Sequence, residues 1–290
     1  MLTDLYLDAI KNKENKLSGI RDESLIDILK IATKRWIDYT PKRMEAHTVG
    51  IDSSWNKKSY QGIDLFVIDC VAVTSFNSIL SSRWNYGINI VNGDSLSSEA
   101  MAMEIDLSNF IISMDEKFDI LCIDGSVISN TIRNKSAHYA NILHKLIKNN
   151  SDSLILFISK NSNTKNQFKE YGAKAADIYY FNKLGYNSGF SLPNLNTNSS
   201  LSNTFDIMEI YARLTPFVPL IKIEIVNNLL LSNDEIGFMM DKLYYHSVKG
   251  YPNCLKLAHK CCKITNEDIK RIASIYELKN EFGSRDSLNE

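Results

Sequence analysis

Five short segments rich in Val and Ile set the limits on this fold: TVGIDS at 48–53, GIDLFVIDCVAV at 62–73, NYGINIV at 85–91, FDILCI at 118–123 and LILFI at 154–158. Each has the length of a strand, with turn-forming Gly or Asn close by. Between them the apolar spacing changes. Met101, Ile105, Phe110 and Ile112 stand among polar residues over about 98–114, as on a helix, and further helices are expected near 134–149 and 164–171. A last strand of this group is expected at 177–181. Three strands, a helix, a strand, a helix and a strand describe an antiparallel meander that crosses over to parallel strands in a mixed α/β sheet. On pattern alone the order also suits other mixed α/β folds.

The flanks read differently. Leu25, Ile28, Leu29 and Ala32 recur at helical spacing, and Pro41 closes that unit. Residues 183–205 are rich in Asn, Ser and Gly, which predicts a long loop, a flap or a partner-binding excursion. Strands resume at 206–213 and 218–226, interrupted by Pro216 and Pro219, and helices are expected at 233–249, 252–262 and 266–278. The chain thus divides into an N-terminal helical segment (1–40), a central domain (45–265, with a flexible insert at 183–205) and a C-terminal helix and tail (266–290).

Charge narrows the function. Lys and Arg number 33 against 34 Asp and Glu, a net charge of -1, so any nucleic acid must be held by a local basic patch, by metal ions or by a partner. No run of 18 or more apolar residues predicts a membrane span, and the N-terminal stretch mixes Asp, Glu and Lys with its apolar residues, unlike a signal peptide. The five cysteines form no C-x-x-C pair, which argues against a zinc site and for a reducing, cytoplasmic setting. Phosphate-binding, dinucleotide-binding and nucleophile-elbow glycine motifs are all missing, which weakens ATPase, dehydrogenase and serine-hydrolase readings.

The chemistry is expected from acids in apolar strands. Asp52 follows Val49 and Ile51, and Asp124 follows Ile123. A carboxylate among buried aliphatics is costly unless it is paired, hydrogen-bonded or bound to a cation. Two such strands side by side place two carboxylates together, and their repulsion calls for a divalent ion. Each acid also suits ordinary turn chemistry, since Asp-Gly and Asp-Ser are common turn and cap pairs. Asp69 is a competing candidate in the second strand. Glu104 lies on the expected helix 98–114, with Glu99 and Asp106 as alternatives. His259 lies eight residues after Tyr251, about two helical turns, and Lys160 follows the strand 154–158. A helical His or a loop Lys is, taken alone, an ordinary surface residue.

Five motifs in order resemble the NurA nucleases of archaea: Val49-Gly50-Ile51-Asp52-Ser53-Ser54, Met101-Ala102-Met103-Glu104-Ile105, Ile120-Leu121-Cys122-Ile123-Asp124-Gly125-Ser126, Phe157-Ile158-Ser159-Lys160, and a Gly250-Tyr251-Pro252…Ala258-His259 block. The resemblance covers roughly 45–265. It implies an RNase H-like (PIWI-like) mixed sheet flanked by helices. It implies a homodimer and Mn²⁺- or Mg²⁺-dependent DNA cleavage, exonucleolytic and also endonucleolytic on single strands. It also implies DNA end resection beside the hexameric ATPase HerA. Carried over residue by residue, it puts Asp52, Glu104, Asp124 and His259 at the metal and Tyr251 beside it; Lys160, after its strand, is then expected to steady the DNA backbone. The competing expectation is a catalytically silent adaptor that docks a DNA-translocating ATPase through 183–205.

Overall fold

The computed structural model describes residues 2–18, 24–60, 62–114, 117–133, 137–149, 153–196, 206–226 and 230–278. Helices α1 (Leu2–Lys11), α2 (Lys13–Ser18) and α3 (Ser24–Lys34) lead into strand β1 (Trp36–Asp38). A long meander follows, β2 (Thr48–Tyr60), β3 (Ile63–Thr74) and β4 (Ile79–Asn89), then α4 (Gly93–Ile112). Next come β5 (Ile120–Asp124), α5 (Val127–Arg133), α6 (Ala137–Asn149), β6 (Leu154–Ser159) and α7 (Asp177–Lys183). The remainder is β7 (Gly189–Ser191), β8 (Asn194–Asn196), β9 (Ile207–Arg213), β10 (Ile221–Ile225), α8 (Asn233–Tyr245), the hairpin strands β11 (Ser247–Val248) and β12 (Tyr251–Pro252), α9 (Asn253–Cys262) and α10 (Asn266–Ile275).

Nine strands line up as β1-β7-β9-β10-β6-β5-β2-β3-β4, and β8 adds to β9. β2, β3 and β4 are antiparallel neighbours, whereas β5 runs parallel to both β2 and β6. The stretch β4-β3-β2-β5-β6 is the RNase H-like core that the motifs imply. The central strands are apolar throughout because helices cover both of their faces. On one face Ile105, Leu107 and Ile111 of α4 and Tyr139, Leu143 and Leu146 of α6 pack on Val49, Ile51, Leu121, Ile123 and Phe157. On the other, Ile236, Met239, Met240 and Leu243 of α8 and Cys254 and Leu255 of α9 pack on Cys122, Leu156, Ile158, Ile210 and Ile223. Residues of α10 close the far end against Tyr60 and Leu65 of the meander.

Several expected elements differ. Residues 177–181 form helix α7 instead of a strand, and 164–171 holds only a short 3₁₀ turn, Lys169–Tyr171. One side chain explains both. The buried Asp177 carboxylate accepts from the backbone N–H groups of Gln167 (3.1 Å) and Phe168 (3.3 Å). Those donors are thereby diverted from a helix, and a carboxylate is placed in the first turn of α7, where the helix dipole favours it. The loop expected over 183–205 contains β7 and β8; residues 197–205 lie outside the described residues. β7 pairs with β1, so the sheet begins inside the segment 1–40 read as wholly helical. α8 stops at Tyr245 rather than 249, and the chain turns into the β11–β12 hairpin. The strand expected at 85–91 runs over Ile79–Asn89, and α4 starts at Gly93, capped by Asn92, whose side chain accepts from the Ser95 N–H at 2.7 Å, ahead of the expected Ser97–Ser98 start.

Candidate metal centre

The parallel register of β2 and β5 pairs Ile51 with Ile123, so Asp52 and Asp124 follow side by side. Asp124 is the last residue of β5. Asp52 is not at a strand end, as its motif suggests: β2 continues to Tyr60, and the apolar pattern fades because β5 no longer flanks it. From α4, Glu104 reaches the same point. Its carboxylate accepts from Ser53 Oγ (2.5 Å) and from the Ser53 N–H (3.1 Å). Asp52, Glu104 and Asp124 line one cavity of about 200 Å³, together with Ser53, Gly125 and Asn130. Among the helix acids only Glu104 turns inward. Asp106 is exposed, and Glu99 accepts a hydrogen bond from Asn85. Asp69 lies across from Ser54 and Trp84 and does not line the cavity.

Helix α9 brings His259 in from the opposite face. Its Nδ1 lies 2.8 Å from Asp52 Oδ2. An ionised Asp52 can only accept, so Nδ1 carries the proton and Nε2 faces outward. The approach depends on Gly50: a Cβ there would stand 2.4 Å from the Cys254 carbonyl carbon and 2.6 Å from Leu255 N, at the start of α9. Gly50→Ala is expected to cost about 2–3 kcal/mol by forcing strand and helix apart. Urea denaturation measures it, and an unchanged midpoint would refute the close-approach argument.

Tyr251 follows a tight turn in which Lys249 and Gly250 both have positive φ, 54° and 73°. A Cβ at Gly250 would also strike Val218 at 2.3 Å. The turn aims the Tyr251 hydroxyl at Asp124, to which it donates at 2.6 Å. Burial, and then the Asp124 charge, push the phenol well above its usual range, so it remains a donor. Lys160 sits over the Tyr251 ring, its Nζ 4.6 Å from the centroid. His259, Tyr251 and Lys160 line a second cavity of about 420 Å³. The sequence-predicted residues are thus brought together in two linked groups. Three carboxylates share one cavity, and His259 and Tyr251 reach it through Asp52 and Asp124. Among the described residues no three donors are already drawn to a single coordination point.

The carboxylates of this cavity are electrostatically strained. Burial first, and repulsion from Asp124 second, push Asp52 up to about 6, while the hydrogen bond and charge of His259 oppose them. Glu104 is held well above the carboxylate range by burial, with Asp52 and Asp124 adding repulsion against the Ser53 hydrogen bonds. Among the described residues no Lys or Arg lines the cavity. Three converging carboxylates suit a divalent cation with oxygen ligands. Without metal, ionising Asp52 opposes folding. Its folded pKa lies above the unfolded value, so this contribution is zero below pH about 4, grows up to pH about 6 and is full above. Asp52→Asn should therefore stabilise the metal-free protein at neutral pH by on the order of 2 kcal/mol. Thermal melts in EDTA at acid and neutral pH test this, and a variant no more stable at pH 7.5 refutes it.

Sequence reasoning missed the layer beneath. Glu224 of β10 accepts from Ser126 Oγ (2.5 Å) and from the Ile128 N–H (3.1 Å), which ties down the turn after Asp124. Lys222 Nζ lies 2.6 Å from Glu224 and 2.7 Å from Glu209, and all three side chains are at most 1% exposed. Burial alone would depress the Lys222 ammonium, but the two glutamates hold it above its usual value. The signal was present as charged residues inside apolar strands, Ile-Lys-Ile-Glu-Ile and Ile-Met-Glu-Ile-Tyr.

Known proteins share this fold. A family model for the NurA domain matches residues 94–264. The DNA double-strand break repair nuclease NurA of Sulfolobus acidocaldarius is 25% identical over 97% of each chain. The crystal structure of the NurA nuclease from Sulfolobus solfataricus superposes with a TM-score of 0.80 at 19% identity, covering 96% of this chain and 97% of that one. A structure of NurA bound to dAMP and manganese superposes with a TM-score of 0.62 at 12% identity, over 96% of each chain. With its matched domain spanning more than half of the sequence and its relatives aligning nearly end to end, the chain belongs to the NurA domain family.

Proposed function

We propose that this chain is a metal-dependent deoxyribonuclease that acts in double-strand break repair. The observation that carries the reading is the convergence of Asp52, Glu104 and Asp124 in one cavity, with no basic residue among the described residues that line it. The relatives' description as repair nucleases, and manganese in a structure of the same fold, support it. Asp52, Glu104 and Asp124 would hold Mn²⁺ or Mg²⁺, with His259 as the fourth ligand that the motifs imply. The bound ion supplies the polarisation of the scissile phosphate and the activation of the attacking water. The chain's own residues prepare the ground. Ser53 orients Glu104, His259 keeps Asp52 ionised, and Tyr251 fixes Asp124 and presents its ring beside Lys160, which offers a cation to the DNA backbone. Exonucleolytic end resection, a homodimeric state and work beside a hexameric DNA-translocating ATPase belong to the same proposal. The net charge of -1 supports a division of labour in which the partner does the long-range gripping of duplex.

The test is cleavage of end-labelled single- and double-stranded DNA with Mn²⁺, with Mg²⁺ and with EDTA. Metal-dependent cleavage is expected. No cleavage with either ion, alone or with the partner ATPase present, would reject the reading.

A further inference from the structure

We propose that Tyr186 and Phe217 form a stacking platform for the bases of a single DNA strand whose backbone runs past Lys160 to the metal centre. The proposal rests on the nuclease reading for the identity of the strand. The platform itself rests on four features of the structure.

The first is position. β10 runs antiparallel to β6, and Lys222 pairs with Ser159, so the loop joining β9 to β10 rises at the same sheet edge as Lys160 and Asp124. Two cavities meet there. One, of about 470 Å³, is lined by Tyr186 and Phe217, the other by Tyr251, Lys249, Lys256 and His259, and Lys160, Asn161, Pro219 and Leu220 belong to both. The two make one trough leading from the aromatic pair to the residues bonded to Asp52 and Asp124. Each half has the size of a site for one small ligand, within the range of about 300–1,000 Å³.

The second is the aromatic pair. The rings stack with centroids 5.5 Å apart and planes 20° apart. They are nevertheless exposed, Tyr186 at 64% and Phe217 at 81%. A stacked pair facing solvent presents a further flat apolar face, which suits any base and needs no base-specific hydrogen bond.

The third is how the pair is held. Phe217 has φ 65°, a left-handed conformation that costs a bulky residue free energy and that its burial does not repay. Arg213, 2% exposed, fixes both loops. It donates to the carbonyls of Gly185 (2.7 Å), Asn187 (3.1 Å) and Val218 (2.9 Å), and to the Asn182 side chain (2.9 Å). The Phe217 N–H also donates to the Tyr186 carbonyl at 3.0 Å. A buried guanidinium is thus spent on holding two exposed rings at fixed positions. Val218 in turn packs against Gly250, next to Tyr251.

The fourth is charge. Lys160, Lys249 and Lys256 are exposed along the trough, and none has a carboxylate partner among the described residues. Cations on one side and stacking rings at the end match a polyanion with bases.

The experiment measures binding of a short fluorescein-labelled oligothymidine in EDTA, so it reads out whether or not the wild type cleaves DNA. The Tyr186→Ala/Phe217→Ala variant should bind about five- to a hundred-fold more weakly, as expected for losing base stacking. Its melting temperature and its mass by light scattering should not change. Phe217→Trp should keep the affinity, and its emission should be quenched as the oligonucleotide is added. Equal affinity of the double variant, or no measurable binding by the wild type, overturns the platform. A fall in mass would also overturn it, by showing that the rings face a second copy of the chain.

Discussion

Asp124→Asn removes metal-dependent DNA cleavage by at least about 1,000-fold in kcat, a loss of about 4 kcal/mol of transition-state stabilisation. Asp124 is where every line of the site meets. The β2–β5 register sets it beside Asp52, it shares the cavity with Glu104, and it receives the Tyr251 hydroxyl at 2.6 Å. The turn behind it is fixed by Glu224 through Ser126 and Ile128. Asn is the informative replacement because it keeps a carbonyl acceptor for Tyr251 while losing the charge that a cation needs. Ala would strand a buried phenol and confuse folding with catalysis. The check is cleavage of end-labelled DNA with Mn²⁺, alongside a melting curve that should match the wild type to within a few degrees. Wild-type rates from the variant would take Asp124, and the carboxylate site with it, out of the mechanism.

Lys222→Met should lower stability by about 3–5 kcal/mol, since removing one partner of a buried ion cluster leaves the others uncompensated. Here two glutamates, Glu209 and Glu224, would face each other across paired strands without the ammonium now within 2.7 Å of both. Met matches the length of Lys, so lost packing contributes little. The pH dependence fixes the interpretation. In the variant the folded-state pKa of the pair rises above the unfolded value. The destabilisation should therefore be small below pH about 4, where the carboxyls are mostly protonated in both states, and grow as pH rises through the folded value. Adding Glu209→Gln should recover part of the loss, because the two sites share one interaction. Urea denaturation at acid and neutral pH measures both. A penalty below about 1 kcal/mol, or one that does not change with pH, would show that the cluster is not held by charge. DNA cleavage should fall as well, since Glu224 is the anchor of the Asp124 turn.

Where the sequence was legible, one local cause dominated. Asp52 and Asp124 were visible because a carboxylate inside an aliphatic strand has few explanations, and the structure brings both to one cavity. Of the Gly250-Tyr251-Pro252 block, Gly250 stands where the turn before Tyr251 takes a positive φ of 73°. The failures share another cause. At 177–181, Tyr179, Tyr180 and Phe181 have strand propensity, but a buried Asp177 capturing two backbone donors decided for a helix. The alternation of Lys222 and Glu224 with isoleucines has the look of a half-exposed strand, yet both faces of β10 are buried, and only the partners from β9 and the Asp124 turn make that tolerable. The exposed pair Tyr186 and Phe217 could not be paired from sequence at all, because Arg213 joins their loops in space.

The bond between His259 and Asp52 joins residues 207 positions apart. At ribosomal rates of about 5–20 residues per second, Asp52 is made about 10–40 s before its histidine. Throughout that interval the nascent chain holds its acids without the helix that completes them. Any product cut short before α9 is likewise left without His259 and without its hydrogen bond to Asp52. The pairing of Asp52 with His259 is thus completed only when synthesis has passed residue 259.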